Sequence, residues 1–357
     1  MKTKKNGAIE LLRILGASFI VLYHHQQGTK IDFLPIAFCG GKFNFARFVE
    51  LFFLISGYLL YKHVDDIRED SSLIEFGEKR IIRFFPMLSI TVIAEFILRK
   101  ISSIVVGGVT YSFGVFDLLV NALGLQQLGI FETRAVNQPT WFLSVLIFCI
   151  ILFFASTKAA KKRNVNPYSF YVIFVILASA IITYKWNTLF LNIFIARGLF
   201  SFFFGIILGK YLYNVKASKY ELGLAVFPIS FVLLTWLKPG WLQTGNDFLY
   251  TLMMWIPILI FAVRWNPKFL SENRTISMLG AASFSVYLWN EPLACLRGIL
   301  VKTDGLRIDT VGFMIIFFIV NWLVGIASYL YLETPINKFI RNRLSQKCNQ
   351  QQDEIQN

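Results

Sequence analysis

Runs of about twenty apolar residues recur along this 357-residue chain, with nearly all of its charges in the short stretches between them. Each run is long enough to cross the roughly 30 Å hydrocarbon layer of a bilayer as a helix. Inside that layer every backbone N–H and C=O must be satisfied within the segment, which restricts the chain to membrane-spanning helices. Charged residues make up 16% of the sequence, well below the quarter or so usual for soluble domains, and 37 phenylalanines exceed what one globular core needs. The sequence predicts an all-α polytopic fold. The ten spans are 8–25, 44–62, 81–98, 140–157, 168–184, 194–213, 220–237, 247–263, 276–300 and 310–332. The apolar stretch 113–128 is interrupted by Asp117, Asn121, Gln126 and Gln127, and reads as an interfacial or re-entrant helix.

Basic residues give the expected orientation. With the N-terminus inside, 22 of the 35 Lys and Arg fall on the inner side, nine (Arg99 and Lys302 among them) in outer loops, and four within spans. Such a bias places both termini in the cytoplasm. A full crossing by 113–128 would force the Lys158–Arg163 cluster outside, against that rule. The N-terminal run contains Glu10 and Arg13 and lacks a small-residue cleavage site, so it reads as a retained helix. The transmembrane domain is taken as 1–341, followed by a polar tail, 342–357, expected to be disordered.

The net charge of +14 does not point to nucleic acid, because the cations are spread through short loops as topology determinants and lipid contacts. Four scattered cysteines form no framework, and the three histidines offer no metal-ligand pattern.

Several polar groups interrupt the spans where burial is expensive. Arg13 and His24 lie eleven residues apart on the first span, hence on one face and about 16 Å apart along its axis, with Glu10 one turn before Arg13. Ionisable groups at that depth cost several kcal/mol unless they face a partner or a wet cavity, so this stripe is expected to look inward. The bland alternative is an interfacial Glu10–Arg13 pair with His24 as a polar cap. Glu50 enters on the second span at about the depth of His24, and a carboxylate there would set the imidazole tautomer and raise its basicity. Ser56–Gly57 reads as a close helix contact. Arg80 and Arg83 share a helical face at the start of the third span, suited either to a multiply phosphorylated ligand or to lipid head groups. Trp141 fits an interfacial belt or a sugar-stacking platform. Of Asn290 and Glu291 in the ninth span, one is expected to face a cavity.

Taken in order, these elements resemble the acyltransferase-3 family of integral membrane O-acyltransferases. The resemblance runs from Glu10 to Pro335. It rests on Arg13 and His24, on Glu50–Gly57, on Arg80–Pro86, on Ser283–Pro292 and on Glu333–Thr334–Pro335. Two positions depart from the family pattern: Leu146 stands where many members carry glutamate, and Asn290 where they carry histidine. The resemblance implies about ten helices in the plasma membrane and transfer of acetyl from cytoplasmic acetyl-CoA to a hydroxyl of an extracytoplasmic polysaccharide or glycolipid, with no metal. It implies CoA phosphates near Arg80 and Arg83, and Arg13 contacting the pantetheine arm or a phosphate. His24 would be the general base, oriented by Glu50. Trp141, Tyr287, Asn290 and Glu291 would be candidates for substrate contact. A transporter or flippase for a lipid-linked glycan is the rival expectation, and predicts no CoA binding.

Overall fold

The computed structural model describes residues 6–29, 45–78, 80, 83–107, 113–237, 248–343 and 346. The predicted tail lies almost wholly outside these residues. Within them the chain is all-α, as expected, with one isolated β-bridge between Thr188 and Leu191. The described part of each expected span is helical, although boundaries move by several residues. Helices α1 (Gly7–Gln27), α6 (Trp141–Lys162), α7 (Pro167–Tyr184), α8 (Ile193–Asn214) and α13 (Val311–Ser328, continuing as helix to Arg343) are long and apolar enough to cross a membrane. Between them lie α2 (Phe48–Leu60), α3 (Leu73–Glu78), α4 (Phe85–Val106), α5 (Val115–Ala122), α9 (Val226–Leu237), α10 (Ile256–Arg264), α11 (Lys268–Ser271) and α12 (Arg274–Asp304).

Helix α1 starts where Asn6 accepts a hydrogen bond from the Ile9 amide at 3.1 Å and donates to the Ala262 carbonyl at 3.2 Å. One asparagine therefore caps α1 and ties it to α10. Small residues set the closest approaches, as expected where apolar burial gives no preference for neighbouring helix over lipid. A methyl group at Gly57 would sit 1.9 Å from the Phe202 carbonyl oxygen, and one at Gly205 would sit 2.2 Å from that of Leu54. The α2 and α8 backbones thus meet at glycines on both sides, and the packing expectation for Gly57 is met.

Helix α5 has eight residues, about 12 Å of rise, which is too short to cross. The polar residues that interrupt its apolar run turn the chain back. Asp117 accepts from the Arg134 amide at 3.1 Å, while Asn121 accepts from the Val136 amide at 3.0 Å and donates to the Arg134 carbonyl at 2.9 Å. This brings the short 3-10 turn Gln138–Thr140, and Trp141 after it, against α12.

Pro292 explains how that turn docks. A proline inside a helix cannot donate to the carbonyl four residues earlier. Here that carbonyl, Leu288, accepts from Asn137 Nδ2 at 3.3 Å, and the Tyr287 hydroxyl donates to the Pro139 carbonyl at 2.5 Å. Asn137 is fully buried. Asn137→Ala should therefore leave the Leu288 carbonyl without a donor and destabilise the protein by about 1–3 kcal/mol, read as a lowered melting temperature in detergent. An unchanged melting temperature would mean that the carbonyl finds another partner.

Candidate active site

One stripe of α12 organises the interior. Ser283, Tyr287, Glu291, Cys295, Gly298 and Lys302 recur at three- or four-residue spacing, so they share a face. Along that face lie three cavities, of about 310, 390 and 320 Å³.

The first cavity sits at the Arg13 end. Arg13, Arg80, Arg83, His63, Ser56, Leu146, Ser283 and Tyr287 are among its lining residues. Arg80 and Arg83 do not occupy a helical face as expected, because α4 begins only at Phe85 and the arginines lie in the turn before it. Pro86 sets where the helix begins, because proline is tolerated in the first turn but not in the interior of a helix started at Arg80. Both side chains nonetheless reach the same cavity. Arg80 stacks on Phe76, with its guanidinium 4.0 Å from the ring centroid and Nη1 donating to the Phe76 carbonyl at 3.2 Å. Arg83 lies 4.9 Å from the Phe84 centroid. Arg13 donates to Glu10 at 3.3 Å, as its spacing implied. Glu10 is buried against Gly280, where a methyl group would fall 2.1 Å from its carboxylate. Buried Glu333, from the π turn Tyr329–Glu333 that follows α13, accepts from Ser285 Oγ at 2.7 Å and faces Arg13 and Arg83 electrostatically. Glu333, late in the sequence, thus acts on two of the cavity's arginines without lining the cavity itself. His63, which the sequence did not single out, adds an imidazole bonded to Asp66 at 2.6 Å.

The second cavity shares one lining residue, Tyr287, with the first. At the junction the rings of Phe52, Phe142 and Tyr287 lie 5.9–6.3 Å apart, centroid to centroid. The second cavity is lined by Ile20, Tyr23, His24, Gln27, Val49, Gln138, Pro139, Trp141, Arg197 and Glu291. Trp141 is buried with the Arg197 guanidinium 4.8 Å from its ring centroid, so it faces the protein interior and is not a lipid-facing belt residue. His24 Nδ1 shares a hydrogen bond with Gln27 Oε1 at 2.9 Å, and Gln27 Nε2 donates to the Tyr23 hydroxyl at 3.0 Å.

The acidic companion of His24 differs from the expectation. Glu50 is held by Arg197 Nε at 2.7 Å and by Arg47 Nη1 at 3.4 Å, and is almost fully buried between them. The carboxylate that lines both cavities with His24 is Glu291. It accepts from Arg99 Nη2 at 3.0 Å, and Arg99 also pairs with buried Glu95. The reason is rotation: α2 turns Glu50 toward Arg197 of α8, and with Arg47 from the start of α2 two guanidiniums satisfy it better than one neutral imidazole would. Arg99, expected in an outer loop, lies within α4, which extends eight residues beyond the predicted span. Of the pair Asn290 and Glu291, it is Glu291 that faces a cavity. Asn290 is buried at the α12–α13 contact and accepts from Asn321 Nδ2 at 3.2 Å.

The third cavity lies on the other side of His24, against α4 and the end of α12. His24, Gln27, Gly28, Arg99, Ser102, Glu291, Cys295, Arg297, Gly298 and Lys302 line it. No group of three or more His, Cys, Asp or Glu side chains among the described residues is arranged to hold a metal.

Tyr287 therefore borders both a cavity lined by three arginines and one lined by His24. No curated protein and no solved structure matches the sequence. The profile of the acyltransferase-3 family, described as an acyltransferase domain, matches residues 6–333, nearly the whole chain. The protein is a membrane acyltransferase: it belongs to the acyltransferase-3 family.

Proposed function

We propose that the protein sits in the plasma membrane with both termini in the cytoplasm and crosses it ten times. In this reading it transfers acetyl from cytoplasmic acetyl-CoA to a hydroxyl of an extracytoplasmic polysaccharide or glycolipid. The observation that carries this reading is the shared wall between the two cavities. Arg13, Arg80 and Arg83 come from two separate segments to one end, His24 stands at the other, and Tyr287 borders both. Arg80 and Arg83 are placed for the CoA phosphates, since guanidinium forks match phosphate oxygens. Arg13 lies deeper, beside the path of the pantetheine arm. His24 accepts the proton of the acceptor hydroxyl as its oxygen attacks the thioester carbonyl. The C–S bond then breaks, and the CoA thiolate leaves and takes up a proton. Gln27 and Glu291, rather than Glu50, are the groups that position and polarise His24. Trp141 and Tyr287 border the space in which the acceptor hydroxyl meets the thioester.

Titration of purified protein with acetyl-CoA tests the donor assignment. An Arg80→Ala/Arg83→Ala variant should bind CoA about 10- to 100-fold more weakly, because each charge-assisted hydrogen bond contributes about 1.5–3 kcal/mol and solvent recovers part of it. Unchanged affinity in a folded variant would remove the phosphate role. Mass spectrometry of surface glycans with and without the gene would identify the acetylated hydroxyl.

A further inference from the structure

The transfer chemistry leaves the third cavity unused, and its charges are unevenly matched. Arg99 is neutralised by Glu95 and Glu291. Arg297 is not. It is 8% exposed, bonds through Nη1 to His25 Nδ1 at 2.7 Å and to the His25 carbonyl at 3.4 Å, and lies 5.0 Å from the Phe317 ring centroid. Its Nε has no partner among the described residues. Because His25 Nδ1 accepts this bond, the imidazole is neutral and offers Arg297 a lone pair but no charge. Lys302 lines the same cavity five residues on, and no described carboxylate pairs with it. A buried guanidinium with no carboxylate bonded to it is expensive, and such residues mark ligand paths.

The surrounding small residues fit an arginine kept close to an open space. A methyl group at Gly28 would sit 2.5 Å from the Arg297 guanidinium, so a side chain there would push Arg297 away from the end of α1. At Gly298 a methyl group would meet nothing within 4 Å, so the cavity beside the arginine has room. His24 and Glu291 stand between this cavity and the second one, and Glu291 is turned to Arg99.

We propose that Arg297 and Lys302 form an anion subsite that holds a phosphate or carboxylate group of the acceptor while His24 receives its hydroxyl. The acceptor class is then an acidic or phosphorylated glycan rather than a neutral one. The link to an acceptor rests on the acyltransferase reading of His24. Binding of the anion does not, so it is measured without acyl-CoA.

The experiment titrates the purified full chain, in lipid-free neutral detergent, with glucose 1-phosphate, glucuronate and glucose, followed by saturation-transfer NMR. The two anions should bind at least about tenfold more tightly than glucose, a factor equal to about 1.4 kcal/mol. Lys302→Gln should remove most of that advantage, and Gly298→Leu should block the anions by filling the cavity. Both variants keep the Arg297–His25 contact, so they report on the site even if Arg297→Gln fails to fold. Equal binding of glucose and the anions would overturn the proposal, as would wild-type anion affinity in folded Lys302→Gln and Gly298→Leu proteins. A second arm adds nanodiscs of phosphatidylglycerol or phosphatidylcholine. Displacement of the sugar anions by phosphatidylglycerol alone would overturn the assignment to the acceptor and give the cavity to a membrane lipid. Absence of acetyl-CoA turnover, by contrast, would overturn the transfer reading and leave these binding constants standing.

Discussion

His24→Ala should lower acyl transfer by about 100- to 10,000-fold, the range a positioned general base contributes, while leaving CoA affinity at the Arg13 end intact. The two effects separate because the imidazole lines the second and third cavities and not the first. Release of CoA thiol in the presence of acceptor measures the rate, and CoA titration measures the affinity. A variant that folds normally and turns over at the wild-type rate would exclude His24 as the base. Wild-type activity should also fall on acidification, because only the neutral imidazole accepts a proton. Gln27→Leu removes the acceptor that faces Nδ1 and should lower the rate less than His24→Ala, since it disturbs the ring's orientation and polarisation but keeps the imidazole itself.

Glu50→Ala should be the most destabilising single change in the site. It would remove the buried carboxylate that Arg197 and Arg47 share, and Arg197 would lose its one ion pair among the described residues. Breaking one partner of a buried ion pair costs about 3–5 kcal/mol, so the variant should melt at a much lower temperature or fail to accumulate. Had Glu50 paired with His24, the same change would have lowered the rate and left stability nearly untouched. A stable Glu50→Ala protein with reduced turnover would therefore restore that pairing and refute the arginine clamp. The comparison with Glu291→Gln is informative, because Glu291 is the carboxylate that shares both cavities with His24. That variant should slow transfer with a smaller loss of stability, since Arg99 retains Glu95.

Much of this architecture was legible in the amino-acid order. Apolar runs of membrane length marked the helices, and the polar breaks at Asp117 and Asn121 marked a segment that turns back. The stripe of α1 from Arg13 to His24 was legible because residues at helical spacing must share a face. The stripe of α12 from Ser283 to Lys302 follows the same rule and was open to the same reading. Pro292 likewise announced a carbonyl in need of a donor, but nothing local named Asn137 as its partner 151 residues earlier.

Periodicity fixes which residues of one helix point together, and the cost of burying charge requires that a face such as Arg13–His24 look inward. The sequence by itself therefore determined the helical class, the inward polar stripes and the membership in a family of acyltransferases. It did not determine which stripe meets which. That depends on the rotation of each helix about its own axis, which is set where backbones touch, as at Gly57 against Phe202 and Gly205 against Leu54. Those contacts turned Glu50 toward Arg197 and left Glu291 to face His24. The assembled bundle also encloses Arg297 beside His25, bonded to an imidazole and to no carboxylate among the described residues.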